Sequence, residues 1–217
     1  LYSCMLALYQ ARKFKPKLVI GFGSYASFPT LFAARILSIP IILHEQNIIL
    51  GKVNRLFFKY AKFVAISFPV TKYAKKDKCI FTGNFVGKKI LTMCNITENV
   101  NILIIAGSQG AAFFDDIISS VICNLPNTLK EKIRITQQCT KENMSKVESL
   151  YKNANVNFKL SEFFENIEEK LASAHLVISR AGATSIAEIT LAGRAAIYIP
   201  YPYSKDNHQF YNAKYVA

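Results

Sequence analysis

Three short stretches carry side chains whose types and spacing suit chemistry. The first is Ser179-Arg-Ala-Gly-Ala-Thr-Ser-Ile-Ala-Glu188. An apolar run, Leu176-Val-Ile, leads into Gly182, and a helical pattern follows from about Thr184 to Leu191. This reads as strand, tight turn, helix. Free N–H groups at a helix start, with the positive end of its dipole, make a site for an anionic group, and Arg180 stands beside it. Glu188, about one turn into the helix, can accept from two vicinal hydroxyls of a sugar such as ribose. The second stretch is Gly107-Ser-Gln-Gly110, which follows the apolar run Asn101-Ile-Leu-Ile-Ile-Ala. Its use would be phosphate binding by backbone N–H groups and the Ser108 hydroxyl. The third is His44-Glu-Gln-Asn47, where the run Ile39-Pro-Ile-Ile-Leu ends. The C-terminal edge of strands is where open α/β sheets bind ligands, and an imidazole beside a carboxylate can hold a proton or orient a hydroxyl. The alternative is that this cluster hydrogen-bonds the following loop, Ile48 to Lys52.

Placing these stretches requires strands that alternate with helices. Helices are expected over 1–14, 28–37 and 53–60, with a further one starting at Pro69, and strands over 18–22, 39–43, 63–67 and 79–82. The polar region 84–100 breaks that rhythm. Five more strands (101–106, 133–139, 156–160, 176–180 and 195–199) then alternate with helices, ending in a helix from 207. Such alternation implies parallel pairing through crossovers. The expected architecture is α/β, with two Rossmann-like doubly wound parallel-sheet domains facing a cleft. Residues 1–87 form the first, 88–100 a linker and 101–217 the second. The opening residues read as the middle of a helix and the last as a helix cut short, so the chain is expected to be an internal piece with a truncated first domain.

Composition narrows the function. At 217 residues and 51% hydrophobic, the chain can bury a substantial core. No apolar run approaches the ~20 residues that span a bilayer; Leu31–Leu43 is broken by Arg35 and Pro40. Five scattered cysteines form no metal-type pair and suit reduced thiols. A net charge of +13 points to an anionic partner. The basic residues are spread out and carry no nucleic-acid motif, so a phosphorylated substrate or an anionic membrane is expected instead. With no Asp-x-Asp pair and no metal-ligand spacing, a diphosphate here would be met by helix N-termini and Arg180, without a protein-held metal or other cofactor. The P-loop lysine pattern is absent, which argues against an ATPase.

Taken together the motifs resemble the MurG family. Gly21-Phe-Gly-Ser-Tyr-Ala-Ser, His44-Glu-Gln-Asn47 with Gly51 and Asn54-Arg55, and Ser67-Phe-Pro69 look like its first-domain motifs. Gly107-Ser-Gln-Gly-Ala111, Arg180 to Glu188, Ala192-Gly193 and Asp206-Asn-His-Gln209 with Asn212-Ala213 look like those of its second. The resemblance implies the GT-B fold and an inverting transfer of N-acetylglucosamine from UDP-N-acetylglucosamine to the undecaprenyl-linked muramyl-pentapeptide. It also implies contact with the anionic inner face of the bacterial plasma membrane, with part of the basic rim on 1–14 and Lys62. By resemblance Glu188 binds the ribose and Ser108, with Gln109 and Gly110, the phosphate side. Arg180, Gly182, Ala183, Thr184, Ser185, Ile186, Ala187 and Phe164 would line the nucleotide, Gln209 would contact the sugar, and Asn47 would reach across from the first domain. The family's favoured base lies in a glycine-rich loop upstream of Leu1, which leaves His44 and Glu45 as the candidates here. Where the family has Gly-Asn-Pro-Val-Arg, this chain has Gly83-Asn-Phe-Val-Gly87. A UDP-sugar 2-epimerase of similar build and a non-catalytic nucleotide-sugar-binding chain are the alternatives.

Overall fold

The structure is a computed structural model of the 217-residue chain, and it describes residues 1–87, 99–107 and 111–217, with Ala111 by its backbone alone. The chain divides into two compact units: Leu1–Phe85 with Lys205–Tyr215, and Val86–Ser204 with Val216–Ala217. The segment Lys205–Tyr215 therefore packs with the first unit rather than with the rest of 101–217.

In the first unit α1 (Tyr2–Phe14) precedes β1 (Val19–Gly21), α2 (Phe28–Ile36), β2 (Ile41–Glu45), α3 (Lys52–Phe57), β3 (Phe63–Ile66) and β4 (Cys79–Phe81). The strands form one parallel sheet in the order β1-β2-β3-β4. Leu31 and Ala34 of α2 and Val53 and Phe57 of α3 pack with Leu43, Val64 and Ile66 of the sheet. Gly21 is needed for this packing. A Cβ there would stand 2.8 and 2.9 Å from the two Leu31 methyls and 3.1 Å from Leu43. The helix expected from Pro69 does not form. That backbone pairs instead with the 48–50 loop, through Lys72 N–H to the Ile48 carbonyl (2.7 Å) and Leu50 N–H to the Lys72 carbonyl (3.1 Å). Strand β2 also runs two residues further than the apolar pattern, so His44 and Glu45 belong to the sheet.

The second unit begins with β5 (Val100–Ile105), followed by α4 (Ala111–Phe113), a wide π turn (Phe114–Ile118) and α5 (Ser119–Cys123). After α6 (Asn127–Lys130) come β6 (Ile133–Gln138), α7 (Met144–Asn153), β7 (Asn157–Ser161), α8 (Ile167–Ser173), β8 (Leu176–Ser179), α9 (Ala183–Leu191) and β9 (Ala195–Tyr198). All five strands are parallel, in the order β7-β6-β5-β8-β9. That order places crossovers on both faces, the doubly wound arrangement expected of the alternating pattern. One face packs Ile104, Ile133 and Ile135 against Phe114, Ile118, Val147 and Tyr151. The other packs Leu103 and Val177 against Leu171 of α8 and Ile189 of α9. The last helix, α10 (His208–Val216), lies with the first unit through Tyr215, which meets Phe68 edge-on at 5.4 Å, while Lys72 stands over the Tyr211 ring.

Candidate functional site

In the second unit, β8 delivers Arg180-Ala-Gly182 directly to the start of α9. Gly182 is the N-cap, with φ −66° and ψ 144°, an extended conformation open to any residue. A Cβ there would meet only the Ser185 hydroxyl, at 3.8 Å. The tight turn expected at Gly182 is thus an extended cap, and the glycine leaves the space over the helix start open among the described residues. No side chain among the described residues caps α9, and its first backbone bond is Ile186 N–H to the Gly182 carbonyl at 2.9 Å. The N–H groups ahead of Ile186 therefore have no intrahelical acceptor. Gly193, at φ +63°, ends the helix in the left-handed conformation that glycine adopts without strain. Arg194 N–H then reaches the Ile189 carbonyl and Gly193 N–H that of Thr190, at 3.2 and 3.0 Å.

Helical spacing sorts the side chains of this segment. Ala183, Ile186 and Ile189 face the core, whereas Thr184, Ser185, Ala187 and Glu188 do not. Glu188 is half-buried and makes no hydrogen bond or ion pair with any described residue. Burial pushes its carboxyl above the usual range, and the Glu168 charge adds to this. A Cβ on Gly87 would lie 3.0 Å from Glu168 Oε1, so the Glu168 carboxylate closes against the position where the family pattern has arginine.

Three residues named from the sequence lie deeper than expected. Arg180 is only 6% exposed; its guanidinium donates to the Ile199 and Pro200 carbonyls (3.2 and 3.3 Å) and stacks among Phe113, Phe114 and Tyr201. Burial lowers its pKa. It ties the end of β8 to the end of β9. Phe164 is 9% exposed and packs with Leu103, Leu171 and Val177, while its neighbour Phe163 is 72% exposed. Phe164 and Ile186 therefore have only backbone groups to offer a ligand. Ser108, Gln109 and Gly110 lie outside the described residues.

In the first unit the His44 cluster hydrogen-bonds the loop that follows it. His44 is 3% exposed, with Nε2 3.2 Å from the Gly83 carbonyl and Nδ1 3.0 Å from the Gln46 amide. A carbonyl only accepts, so the proton sits on Nε2 and Nδ1 accepts from Gln46. The ring lies 5.6 and 4.9 Å from those of Phe22 and Phe85. Glu45, equally buried, accepts at Oε1 from Asn47 N–H (3.1 Å) and at Oε2 from Gly51 N–H (2.8 Å) and Asn54 Nδ2 (2.9 Å). Both side chains take part in shaping the 46–51 loop. Asn212, fully buried on α10, completes the loop. Its Oδ1 accepts from Ile48 N–H and its Nδ2 donates to Asn47 Oδ1, each at 3.0 Å. Sequence reasoning quoted Asn54 and Asn212 as motif residues without finding this role, because the 164-residue separation of Ile48 and Asn212 is invisible to local pattern. Beside the loop lies a pocket of ≈ 240 Å³ walled by Phe22, Gly23, Ser24, Asn47, Asp206 and His208. Gln209 stands in the first turn of α10.

Residues 101–217 match the glycosyltransferase family 28 C-terminal domain, and residues 2–66 match that family's N-terminal domain. The chain belongs to glycosyltransferase family 28. The MurG resemblance read from the motifs is borne out. Over 216 residues the chain is 71% identical to the UDP-N-acetylglucosamine--N-acetylmuramyl-(pentapeptide) pyrophosphoryl-undecaprenol N-acetylglucosamine transferase of Wolbachia sp. subsp. Drosophila simulans (strain wRi), covering 100% of this chain and 63% of that protein. It is 41% identical over 219 residues to the protein of the same name from Anaplasma marginale (strain St. Maries), covering 99% of this chain and 61% of that one. The chain thus spans under two thirds of the length of these relatives. The crystal structure of Acinetobacter baumannii MurG superposes with a TM-score of 0.80 at 31% identity, over 99% of this chain and 61% of that one. Anabaena Alr3699/HepE in complex with UDP and glucose shares the fold alone, with a TM-score of 0.60 at 11% identity over 90% of this chain and 61% of that one.

Proposed function

We propose that the protein of which this chain is part moves N-acetylglucosamine from UDP-N-acetylglucosamine to the lipid-linked muramyl-pentapeptide of peptidoglycan synthesis. The observation that carries this reading is the start of α9, where among the described residues the helix N-terminus has no side-chain cap, the cap glycine is open, and Glu188 on the same helix is half-buried without a hydrogen-bonded partner. The N–H groups of Ala183, Thr184 and Ser185 meet diphosphate charge, and the Glu188 carboxylate accepts from the ribose hydroxyls. Ser108, Gln109 and Gly110 supply further phosphate contacts. The acceptor hydroxyl attacks the anomeric carbon and gives up its proton to a general base, a new C–O bond forms with inversion, the bond to the diphosphate breaks, and UDP leaves.

Both ring nitrogens of His44 and both oxygens of Glu45 are hydrogen-bonded within the first unit, so in this reading both residues are positioning groups. The reading extends to the anionic inner face of the plasma membrane. Supporting it, α1 exposes Tyr2, Met5, Leu6 and Tyr9 and ends in Arg12 and Lys13. No helix among the described residues is long and apolar enough to cross a membrane.

The test supplies the full-length protein with UDP-N-acetylglucosamine and the lipid-linked acceptor and follows both UDP release and the anomeric configuration of the product. Acceptor-dependent release with an inverted linkage is expected. Epimerisation of the donor in the absence of acceptor would replace this reading with an epimerase.

A further inference from the structure

We propose that the groove floored by β5, β6 and β7 beside α8 is a second anion site, fitted to a small soluble phosphate-bearing molecule. The strands alternate their side chains across the sheet. Ile133 and Ile135 are buried on the α7 face, which turns Arg134 and Thr136 of β6 and Asn157 and Lys159 of β7 to the opposite one. On that opposite face α8 and α9 cover Leu103 of β5 and Val177 of β8, leaving Arg134 and Lys159 exposed. The result is a groove of ≈ 200 Å³, flanked by Lys170 in the last turn of α8.

Register brings the polar groups together. Asn101, Arg134 and Asn157 stand opposite one another on three consecutive strands, a row about 10 Å across at the usual strand spacing. Lys159 stands opposite Thr136, one residue pair further on in the same face. A guanidinium and two ammonium groups therefore border one concavity, and no Asp or Glu lines it among the described residues. None of the three cations has a hydrogen bond or ion pair with another described residue. Like charges gathered in a concave, low-dielectric wall focus a positive potential. The forked guanidinium beside point-charge ammonium groups suits a tetrahedral oxyanion. The volume holds a phosphate and a few attached atoms, which argues for a small solute over a macromolecule.

The groove is distinct from the start of α9. Arg134 lies near the N-terminal end of β6 and Lys159 at the middle of β7, whereas Gly182 follows the C-terminal end of β8 in the same parallel sheet. The two sites thus share no residue.

The test titrates inorganic phosphate into the isotope-labelled full chain at low salt and follows backbone amide shifts, with and without saturating UDP. Saturable shifts at Thr136, Asn157 and Ser173, unchanged by UDP, are expected. Arg134→Gln with Lys159→Gln should weaken them roughly tenfold or more, as loss of charge-assisted bonds implies. The charge-matched control Lys75→Gln with Lys76→Gln should leave them intact. Shifts confined to Gly182–Ser185, or an equal loss in the control, would overturn the proposal. So would a response to anionic phospholipid vesicles without one to phosphate, since the ligand would then be a membrane surface.

Discussion

Replacing Glu188 by Gln separates binding from folding in a way the structure makes quantitative. The Glu188 carboxylate has no hydrogen-bonded partner among the described residues, so removing its charge orphans no donor. Burial, helped by the Glu168 charge, raises its native pKa above the unfolded value. Such a group contributes stability below the unfolded pKa and loses it as pH rises through the native one. At neutral pH the ionised carboxylate is therefore a cost to the free protein, reduced because the side chain is only half-buried. Glu188→Gln should leave the melting temperature at pH 7 unchanged or slightly raised. Binding moves the other way. A charged hydrogen bond to a ribose hydroxyl contributes about 1.5–3 kcal/mol, so UDP affinity should fall roughly 10- to 150-fold. The pH dependence must follow the same sign: UDP binding by the parent chain weakens as pH falls through the raised pKa, while the Gln variant is flat there. Calorimetric titration with UDP at several pH values, beside thermal melts, measures both. A variant that binds UDP within twofold of the parent would refute the assignment of Glu188 to the ribose. A large loss of melting temperature would show that the carboxylate serves the fold.

Three further outcomes follow from the packing. Glu45→Gln sets an NH2 group against N–H donors of the 46–51 loop and should cost about 2–3 kcal/mol in urea denaturation; an unchanged midpoint would remove the loop-shaping role. Gly21→Ala forces a methyl group into Leu31 and Leu43 and should cost about 1–3 kcal/mol by the same measurement, whereas free accommodation would contradict the packing of α2 on β1. Burial first, and Asp115 second, push the Cys139 thiol up to about 12. At pH 8 its thiolate is then roughly one part in ten thousand, so mass spectrometry should find Cys139 unalkylated in the native chain while Cys4 reacts. Equal rates at the two would show that Cys139 is open to solvent.

Much of this protein was legible along the chain. Strands of Ile, Leu and Val alternating with helices need both sheet faces covered, and that demand alone implies parallel sheets of the observed kind. The strand, glycine and helix around Gly182 were equally local, because a helix start and a carboxylate one turn later are separated by a handful of residues. What local pattern did not hold was the direction of each side chain. Arg180, Phe164 and Ile186 look like ligand contacts in a motif, yet tertiary packing buries all three. His44 and Glu45 are candidates for the base by residue type, and only the fold shows that Gly83, Gly51 and Asn54 hydrogen-bond their polar atoms. The helix expected at Pro69 was lost because its backbone found better partners in the 48–50 loop. Residue type and spacing determined which elements form and which groups are chemically able. Only the folded chain, through contacts as distant as Asn212 to Ile48, decided which of those groups are spent on structure and which stay open to a ligand.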